Sequence, residues 1–400
     1  MAEKVALLED INVAAFEIIE NAGFEVVKFA KNPDEMLQAA KGAVMLGIRS
    51  GPKVSKELME ANPQLEAIGV FSVGVNVDED YATETGRAVM NAPHENTRSV
   101  AEYDIEVAGS LMRGIQGHNM QMHSGVWSKT EAGSHELQSK TIGSIGYGTI
   151  GLQVSEPARG LGMNFIYYDE MSKNPPLTGV QKMPTVEALY EKADIITIHV
   201  PGIPETENLI NDAAIAAMKP GVYIINTSRG NVVDTMALKR GLDSGKVAGA
   251  ALDVFVDEPA KKGDPFEHPL QGYLNVILTP HIAGSTEEAQ DKAGNSVAKK
   301  MVQYWQTGNP FEAINLPSTP YKDPTPGVPR LIYVHSNQPG ALAGVEDILR
   351  EANCNIGPTA SDTLRDIGFA YFDIDSNNLA PAVIKAIRKL DTARRVRVIQ

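Results

Sequence analysis

Ile142-Gly143-Ser144-Ile145-Gly146-Tyr147-Gly148-Thr149-Ile150-Gly151 reads as an apolar strand, a glycine turn and the opening of a helix. Gly146, Gly148 and Gly151 carry the spacing G-x-G-x-x-G. The first glycine permits the sharp turn, the second lets a pyrophosphate approach the backbone, and the third lets helix and strand pack closely. Unpaired N–H groups of the helix's first turn then face the anion. Glycine-rich turns also serve as plain strand-to-helix connections, so the pattern needs its context. That context is Phe165-Ile166-Tyr167-Tyr168-Asp169, a second strand ending in an acid eighteen residues after Gly151. A carboxylate there binds both hydroxyls of an adenosine ribose and repels a 2′-phosphate, which favours NAD over NADP.

The 400 residues suit two or three domains with real cores. A hydrophobic content of 43% with 22% charged residues is ordinary for a water-soluble globular chain. The net charge of −14 argues against nucleic-acid or anionic-membrane partners, which need a basic surface. It leaves an anionic small-molecule substrate open, because a few local arginines decide that. The single cysteine, Cys354, excludes an intrachain disulfide and fits a reducing cytoplasm. The first residues read as a strand rather than a signal peptide. No apolar stretch approaches the roughly 20 residues that span a bilayer.

Strand-like and helix-like segments alternate from the start, which predicts parallel sheets covered on both faces. Residues 5–8, 26–27, 43–48 and 65–70 read as strands, separated by helices over 13–21, 34–40 and 53–61. This set has no phosphate-binding glycines. The second set does, and continues through strands at 195–200, 222–226, 247–253 and 276–278. A helix opening at Asn96-Thr97-Arg98-Ser99-Val100-Ala101-Glu102 joins the two, with Ser99 and Glu102 spaced as a capping box. A second long helix over 286–306 returns the chain to the first domain. Residues 317–329 are proline-dense and read as a linker. The tail, 330–400, has a βαββαβ rhythm.

The expected architecture is therefore two flavodoxin- or Rossmann-like, doubly wound parallel-sheet α/β domains plus a ferredoxin-like module. Residues 1–96 and 284–316 form a discontinuous substrate domain around a nucleotide domain at 97–283. The module occupies 330–400.

Three polar residues follow predicted strands behind the glycine turn, where ligands bind in open α/β sheets. They are Arg229 in Asn226-Thr227-Ser228-Arg229-Gly230, Glu258 in Asp257-Glu258-Pro259, and His281 in Thr279-Pro280-His281-Ile282. A histidine takes a proton near neutrality. A neighbouring carboxylate holds its ring and favours the imidazolium. An arginine fork clamps a carboxylate and polarises a carbonyl. Taken singly, Arg229 and Glu258 also fit surface ion pairs, and His281 fits a structural turn. Beside a hydride acceptor, the ordered set suffices to oxidise a 2-hydroxy acid.

With these motifs the chain resembles the D-isomer-specific 2-hydroxyacid dehydrogenases, most closely their phosphoglycerate dehydrogenase branch. The resemblance rests on Ile145–Gly151, His199-Val200-Pro201, Met218-Lys219-Pro220-Gly221, Asn226–Gly230, Ala250-Ala251-Leu252-Asp253-Val254-Phe255, Glu258-Pro259 and the block from Leu278 to Thr286. It implies His281 as acid/base, Glu258 as its partner and Arg229 as substrate clamp. It implies an NAD site at Gly146, Tyr147, Gly148, Thr149, Ile150 and Gly151, with Asp169 on the ribose. His199, Val200, Pro201, Thr227, Ala283 and Gly284 complete that site, and Asp253 lies near the nicotinamide amide. No metal is implied. Backbone of Val73-Gly74 would hold the substrate carboxylate, Asn96 would stand beside the site, and Arg49-Ser50 would meet a phosphate.

The substrate so implied is 3-phosphoglycerate, oxidised to 3-phosphohydroxypyruvate in the first step of L-serine synthesis. Another 2-hydroxy acid, such as 2-hydroxyglutarate or glyoxylate, is the near alternative. A non-catalytic NAD-sensing interaction protein is the distant one. Tyr333-Val334-His335-Ser336-Asn337-Gln338-Pro339-Gly340 resembles the opening of an ACT regulatory domain. That implies L-serine as effector at His335, Asn337 and Asn355, and a homo-oligomer, expected as a tetramer, with Trp127 packing between nucleotide domains. A core position is the other reading of Trp127.

Several positions depart from that resemblance. The loop Gly74-Val75-Asn76-Val77-Asp78 is one residue short, and Gly51 stands where relatives often add a basic residue. Pro157 falls in the helix after Gly151, where an interior proline loses a hydrogen bond; it is expected in the second turn, with a kink. Tyr103-Asp104-Ile105-Glu106 replaces a mostly apolar stretch. Because a buried acid is costly, Asp104 is expected to face solvent.

Overall fold

A computed structural model describes the chain apart from residues 1, 31, 50–52, 172–176, 260–262, 320–321 and 375–378. The chain divides into two compact units, Met1–Glu95 with Gln290–Gln400, and Asn96–Ala289.

The first unit holds two sheets. Strands β1 (Lys4–Leu8), β2 (Glu25–Phe29), β3 (Ala43–Ile48), β4 (Ala67–Val70) and β5 (Ala88–Asn91) form a parallel sheet in the order β2-β1-β3-β4-β5. This is a flavodoxin-like order, whose direction switches between β1 and β3. All six residues of β3 are buried, as a parallel strand covered on both faces requires. The helix Glu287–Thr307 covers one face. It lies so close that a methyl group on Gly69 would meet Met301 at 2.2 Å.

The chain numbered β13 (Arg330–Ser336), β14 (Ile356–Leu364), β15 (Ile367–Ile374) and β16 (Ala393–Ile399) makes an antiparallel sheet in the order β14-β15-β13-β16. Two helices, Ala341–Glu351 and Pro381–Ile387, complete the expected βαββαβ order. Side chains alternate along β13. Leu331 and Tyr333 pack with Val345, Leu349 and Ile387 of those helices. Ile332 and Val334 instead join the core of the parallel sheet. Arg330 and Asp373, both fully buried, pair on neighbouring strands at 2.6 Å. Arg330 also donates to the Thr307 carbonyl at the end of the long helix.

The second unit contains β6 (Thr141–Ile145), β7 (Asn164–Tyr168), β8 (Val180–Lys182), β9 (Ile195–Ile198), β10 (Val222–Asn226), β11 (Val247–Leu252) and β12 (Val276–Leu278). They form one parallel sheet in the order β12-β11-β10-β9-β6-β7-β8. This is the Rossmann arrangement, with its switch between β6 and β9. The strands β5 and β8, absent from the sequence reading, are short: four residues and three.

Three local expectations are corrected. Asp104 is buried completely, not solvent-facing. It lies on the inward stripe Val100, Ala101, Asp104, Val107, Ala108 and Leu111 of the helix Thr97–Arg113, so helical spacing outweighs the cost of the charge. Ser99 is not a cap: the helix begins at Thr97 after Asn96, and the Ser99 hydroxyl meets Thr286 Oγ1 at 2.8 Å. Pro157 sits in the third turn, not the second, of the helix Thr149–Gly160, which continues through it. The missing donor is the one that would have bonded the Gln153 carbonyl.

Candidate active site

Strand register sets the site. Ile145 pairs with Ile198, Ile198 with Asn226, Asn226 with Leu252 and Leu252 with Leu278. The next residue on each strand is therefore Gly146, His199, Thr227, Asp253 and Thr279, in a row along the carboxyl edge of the sheet. Tyr168 pairs with Ile145, which brings Asp169 onto the same edge. The three residues expected to do chemistry, Arg229, Glu258 and His281, lie just beyond this row.

Gly146 has φ +92° and approaches the His199 carbonyl so closely that an added Cβ would stand 2.3 Å from it. Only glycine fits both conditions. Gly151 is similarly tight against the Gly146 carbonyl, at 2.6 Å, whereas Gly148 meets nothing within 4 Å. Gly148 precedes the helix Thr149–Gly160, and no side chain caps that helix. The turn is thus held by two glycines and open at the third, above uncapped helix N–H groups. This geometry fits the pyrophosphate of NAD.

Asp169 accepts hydrogen bonds from Tyr147 N and Met171 N, both at 2.7 Å, which fixes its carboxylate beside the turn. The Tyr147 ring stacks on Tyr167 at 4.0 Å, so the x of the first G-x-G is a core residue. Ile150 is partly buried and packs with that core, and Thr149 opens the helix. Val200 packs near Gly146, and Pro201 accepts from the Thr206 hydroxyl at 2.5 Å. Gly202 lets that loop approach Arg229, since a Cβ there would stand 2.9 Å from the arginine's Cβ.

His281 Nδ1 lies 2.9 Å from Glu258 Oε2. The other carboxylate oxygen accepts from Phe255 N at 3.1 Å, so Glu258 is held before it holds the ring. With Nδ1–H turned to the carboxylate, Nε2 presents its lone pair, and 51% of the His281 side chain is exposed. The backbone at His281 is left-handed, φ +55°, uncommon outside glycine and frequent where function constrains a loop. His281 N donates to the Asp253 and Thr279 carbonyls. The Arg229 guanidinium bonds the neighbouring Ser228 carbonyl at 2.6 Å.

Asp253 is 1% exposed, and burial pushes its carboxyl up from the ordinary value. It accepts from Thr279 Oγ1, Ile282 N and Ala283 N. Its carboxylate thus ties down the segment carrying His281. Asn96 packs against the Gly284 backbone; a Cβ on that glycine would stand 2.3 Å from the amide nitrogen. Sequence reasoning missed Thr279, whose side chain links Asp253 to Tyr103; its place directly after a strand of the register row is the signal.

The first unit carries the other expected substrate residues. Arg49 follows β3, at the switch of its sheet, while Ser50 and Gly51 lie outside the described residues. Asn91 Nδ2 donates to the Val73 carbonyl and Ser72 Oγ to the Gly74 carbonyl, which shape the loop expected to hold a carboxylate. Val54 bonds Asn76 and Asp78 through the backbone, which anchors the shorter loop. On the antiparallel sheet, His335 is buried, its Nδ1–H on the Ser336 carbonyl and its Nε2 without a partner. Asn337 donates to the Arg365 carbonyl, and Asn355 is exposed. Trp127 is 79% exposed, so it is not a core tryptophan of this chain. No helix among the described residues is long and apolar enough to cross a membrane.

Residues 105–283 match the NAD-binding domain of D-isomer specific 2-hydroxyacid dehydrogenases. The chain is 40% identical to D-3-phosphoglycerate dehydrogenase of Haemophilus influenzae, over 99% of this chain and 97% of that one. It is 39% identical to D-3-phosphoglycerate dehydrogenase 1 of Saccharomyces cerevisiae, over 93% and 82%. Among solved structures, D-lactate dehydrogenase from Aquifex aeolicus, complexed with NAD and lactic acid, superposes with a TM-score of 0.66. That match has 28% identity and covers 78% of this chain and 100% of the other. The chain therefore belongs to the D-isomer-specific 2-hydroxyacid dehydrogenases, as an NAD-dependent oxidoreductase of their D-3-phosphoglycerate dehydrogenase family.

Proposed function

We propose that this enzyme oxidises 3-phospho-D-glycerate to 3-phosphohydroxypyruvate, the opening step of L-serine synthesis. The observation that carries the chemistry is the Glu258–His281 contact on the carboxyl edge of a sheet with a pyrophosphate-fitting turn. NAD, when bound, supplies the hydride acceptor. His281 Nε2 takes the proton of the substrate's 2-hydroxyl. Glu258 keeps the ring oriented and stabilises the imidazolium that results. Arg229 binds the carboxylate and the oxygen that becomes a carbonyl. The Val73-Gly74 backbone holds the carboxylate, Asn96 stands beside the reacting centre, and Arg49 with Ser50 meets the phosphate. Asp169 selects NAD by repelling a 2′-phosphate.

The βαββαβ module serves as an ACT domain that binds L-serine at His335, Asn337 and Asn355 and lowers turnover. The exposed side chains of Asn337, just after β13, and Asn355, just before β14, support this reading. The protein assembles as a homotetramer in the cytoplasm. The exposed Ile115, Met120, Met122, Val126 and Trp127, an apolar group on one segment, support a self-association surface.

The test is an assay of NADH formation on 3-phosphoglycerate, lactate, 2-hydroxyglutarate and glycolate, with and without millimolar L-serine. Preferred turnover of 3-phosphoglycerate, weakened in Arg49→Ala, supports the assignment. Preference for an unphosphorylated acid, or NADH binding with no turnover across the panel, contradicts it. Serine inhibition that disappears in His335→Ala supports the effector site; unchanged rates at millimolar serine refute it.

A further inference from the structure

One turn of the helix Thr97–Arg113 sends two polar side chains onto the register row. Asp104 Oδ2 accepts the Thr197 hydroxyl at 2.6 Å, and Oδ1 accepts the Thr227 hydroxyl at 3.0 Å. His199 Nε2 lies 3.1 Å from Asp104 Oδ2 and 3.0 Å from Thr197 Oγ1. Since the Thr197 proton is committed to Asp104, the hydrogen on this side of the ring belongs to His199 Nε2. Tyr103, adjacent on the helix, contacts Thr279 Oγ1 at 2.6 Å. Thr279 gives its own proton to Asp253, also at 2.6 Å, so Tyr103 is the donor. Burial raises the Tyr103 hydroxyl to about 12, which keeps it a donor at neutrality.

The contacts to His199, Thr227 and Thr279 reach three different functional loops. His199 opens the His199-Val200-Pro201 loop beside the glycine turn, Thr227 lies two residues before Arg229, and Asp253 with Thr279 anchors the segment of His281. Among the described residues Asp104 has no arginine or lysine partner; a fully buried carboxylate is then costly, and hydroxyl and imidazole donors offset that cost only in one geometry. From this juxtaposition we propose that Tyr103 and Asp104 are positioning residues, a two-residue polar clamp that fixes the cofactor, arginine and histidine loops relative to one another. The clamp rests on the function proposed above for its effect on turnover, though not for its effect on cofactor binding.

Two uncharged variants of full-length protein divide the clamp. Asp104→Asn keeps the volume but loses an acceptor, and is expected to raise the NADH dissociation constant and lower kcat, each by about fivefold or more, as misplaced loops do. Tyr103→Phe frees only the histidine segment and is expected to lower kcat by about threefold or more with NADH affinity within twofold. If Asp104→Asn does not fold, Thr197→Val breaks the same contact from the other side, with the expected result on NADH affinity. Variants that lose thermal stability while keeping wild-type NADH affinity and kcat overturn the clamp. Should the wild type lack turnover on 3-phosphoglycerate, the substrate assignment fails, and fluorescence titration of NADH against Asp104→Asn still decides the role of Asp104.

Discussion

Glu258 and His281 meet at 2.9 Å although 23 residues separate them, and the carboxylate is itself fixed by Phe255 N. The pair presents one imidazole nitrogen to the protein and the other outward. Glu258→Gln retains the shape but cannot stabilise an imidazolium. It is expected to lower kcat by about 10²-fold, at the lower end of general acid–base effects. NADH affinity should hold, since Glu258 has no place in the glycine turn. Steady-state kinetics with a parallel NADH titration checks both.

Gly146 is held by geometry on two counts, its φ of +92° and its closeness to the His199 carbonyl. Gly146→Ala meets both. The backbone alone costs about 1–2 kcal/mol for a residue with a Cβ. We expect NADH affinity to fall by about tenfold or more, equivalent to 1.4 kcal/mol at the site. Gly148→Ala, where an added methyl meets no protein atom, should fold with wild-type stability and lose affinity only through the approaching pyrophosphate. Differential scanning fluorimetry with and without NADH separates the two.

The fold was legible because its signals are local. Ile142–Ile145 followed by Gly146 marks a strand and turn, and Phe165–Asp169 marks the next strand with its acid. Arg229, Glu258 and His281 were legible as polar residues beyond strand ends, and they do follow the strands ending at Asn226, Leu252 and Leu278. Asp104 was misjudged because the cost of a buried charge was weighed without its partners. Thr197, Thr227 and His199 come from strands 93 or more residues away, and no local pattern announces their donors. The stripe Val100, Asp104, Val107 and Leu111 did place the residue inward. Pro157 was placed one turn too early because the helix opens at Thr149, ahead of Gly151. The third sheet was read correctly in order, but its packing of Ile332 and Val334 into the parallel-sheet core needed tertiary structure.

Arg330 and Asp373 are 1% and 0% exposed and bond through two nitrogen–oxygen contacts, at 2.6 and 3.0 Å. Arg330→Met leaves the aspartate buried and unpaired. The expected loss is about 3–5 kcal/mol, most of it recovered in Arg330→Met with Asp373→Leu. Urea unfolding of both variants gives the comparison.

Burial lowers the His335 pKa from its ordinary 6.5, because protonation would place a hydrogen on an Nε2 that has no acceptor. As pH falls below 6.5 the unfolded chain binds this proton before the folded one does. The contribution to stability is therefore complete above that pH and declines below it. His335→Asn, whose amide can still donate to the Ser336 carbonyl, should show a shallower fall in Tm than the wild type between about pH 7 and pH 5. Parallel slopes would remove His335 as the cause.

The most direct measurement is the initial rate of NADH formation from 3-phosphoglycerate by the wild-type enzyme and by His281→Ala, with NADH affinity determined for both. Turnover by the wild type that falls by about 10²–10⁴-fold in the variant, at unchanged NADH affinity, is the expected result. Equal turnover in the two proteins would contradict the assignment of His281 as the group that takes the substrate's proton.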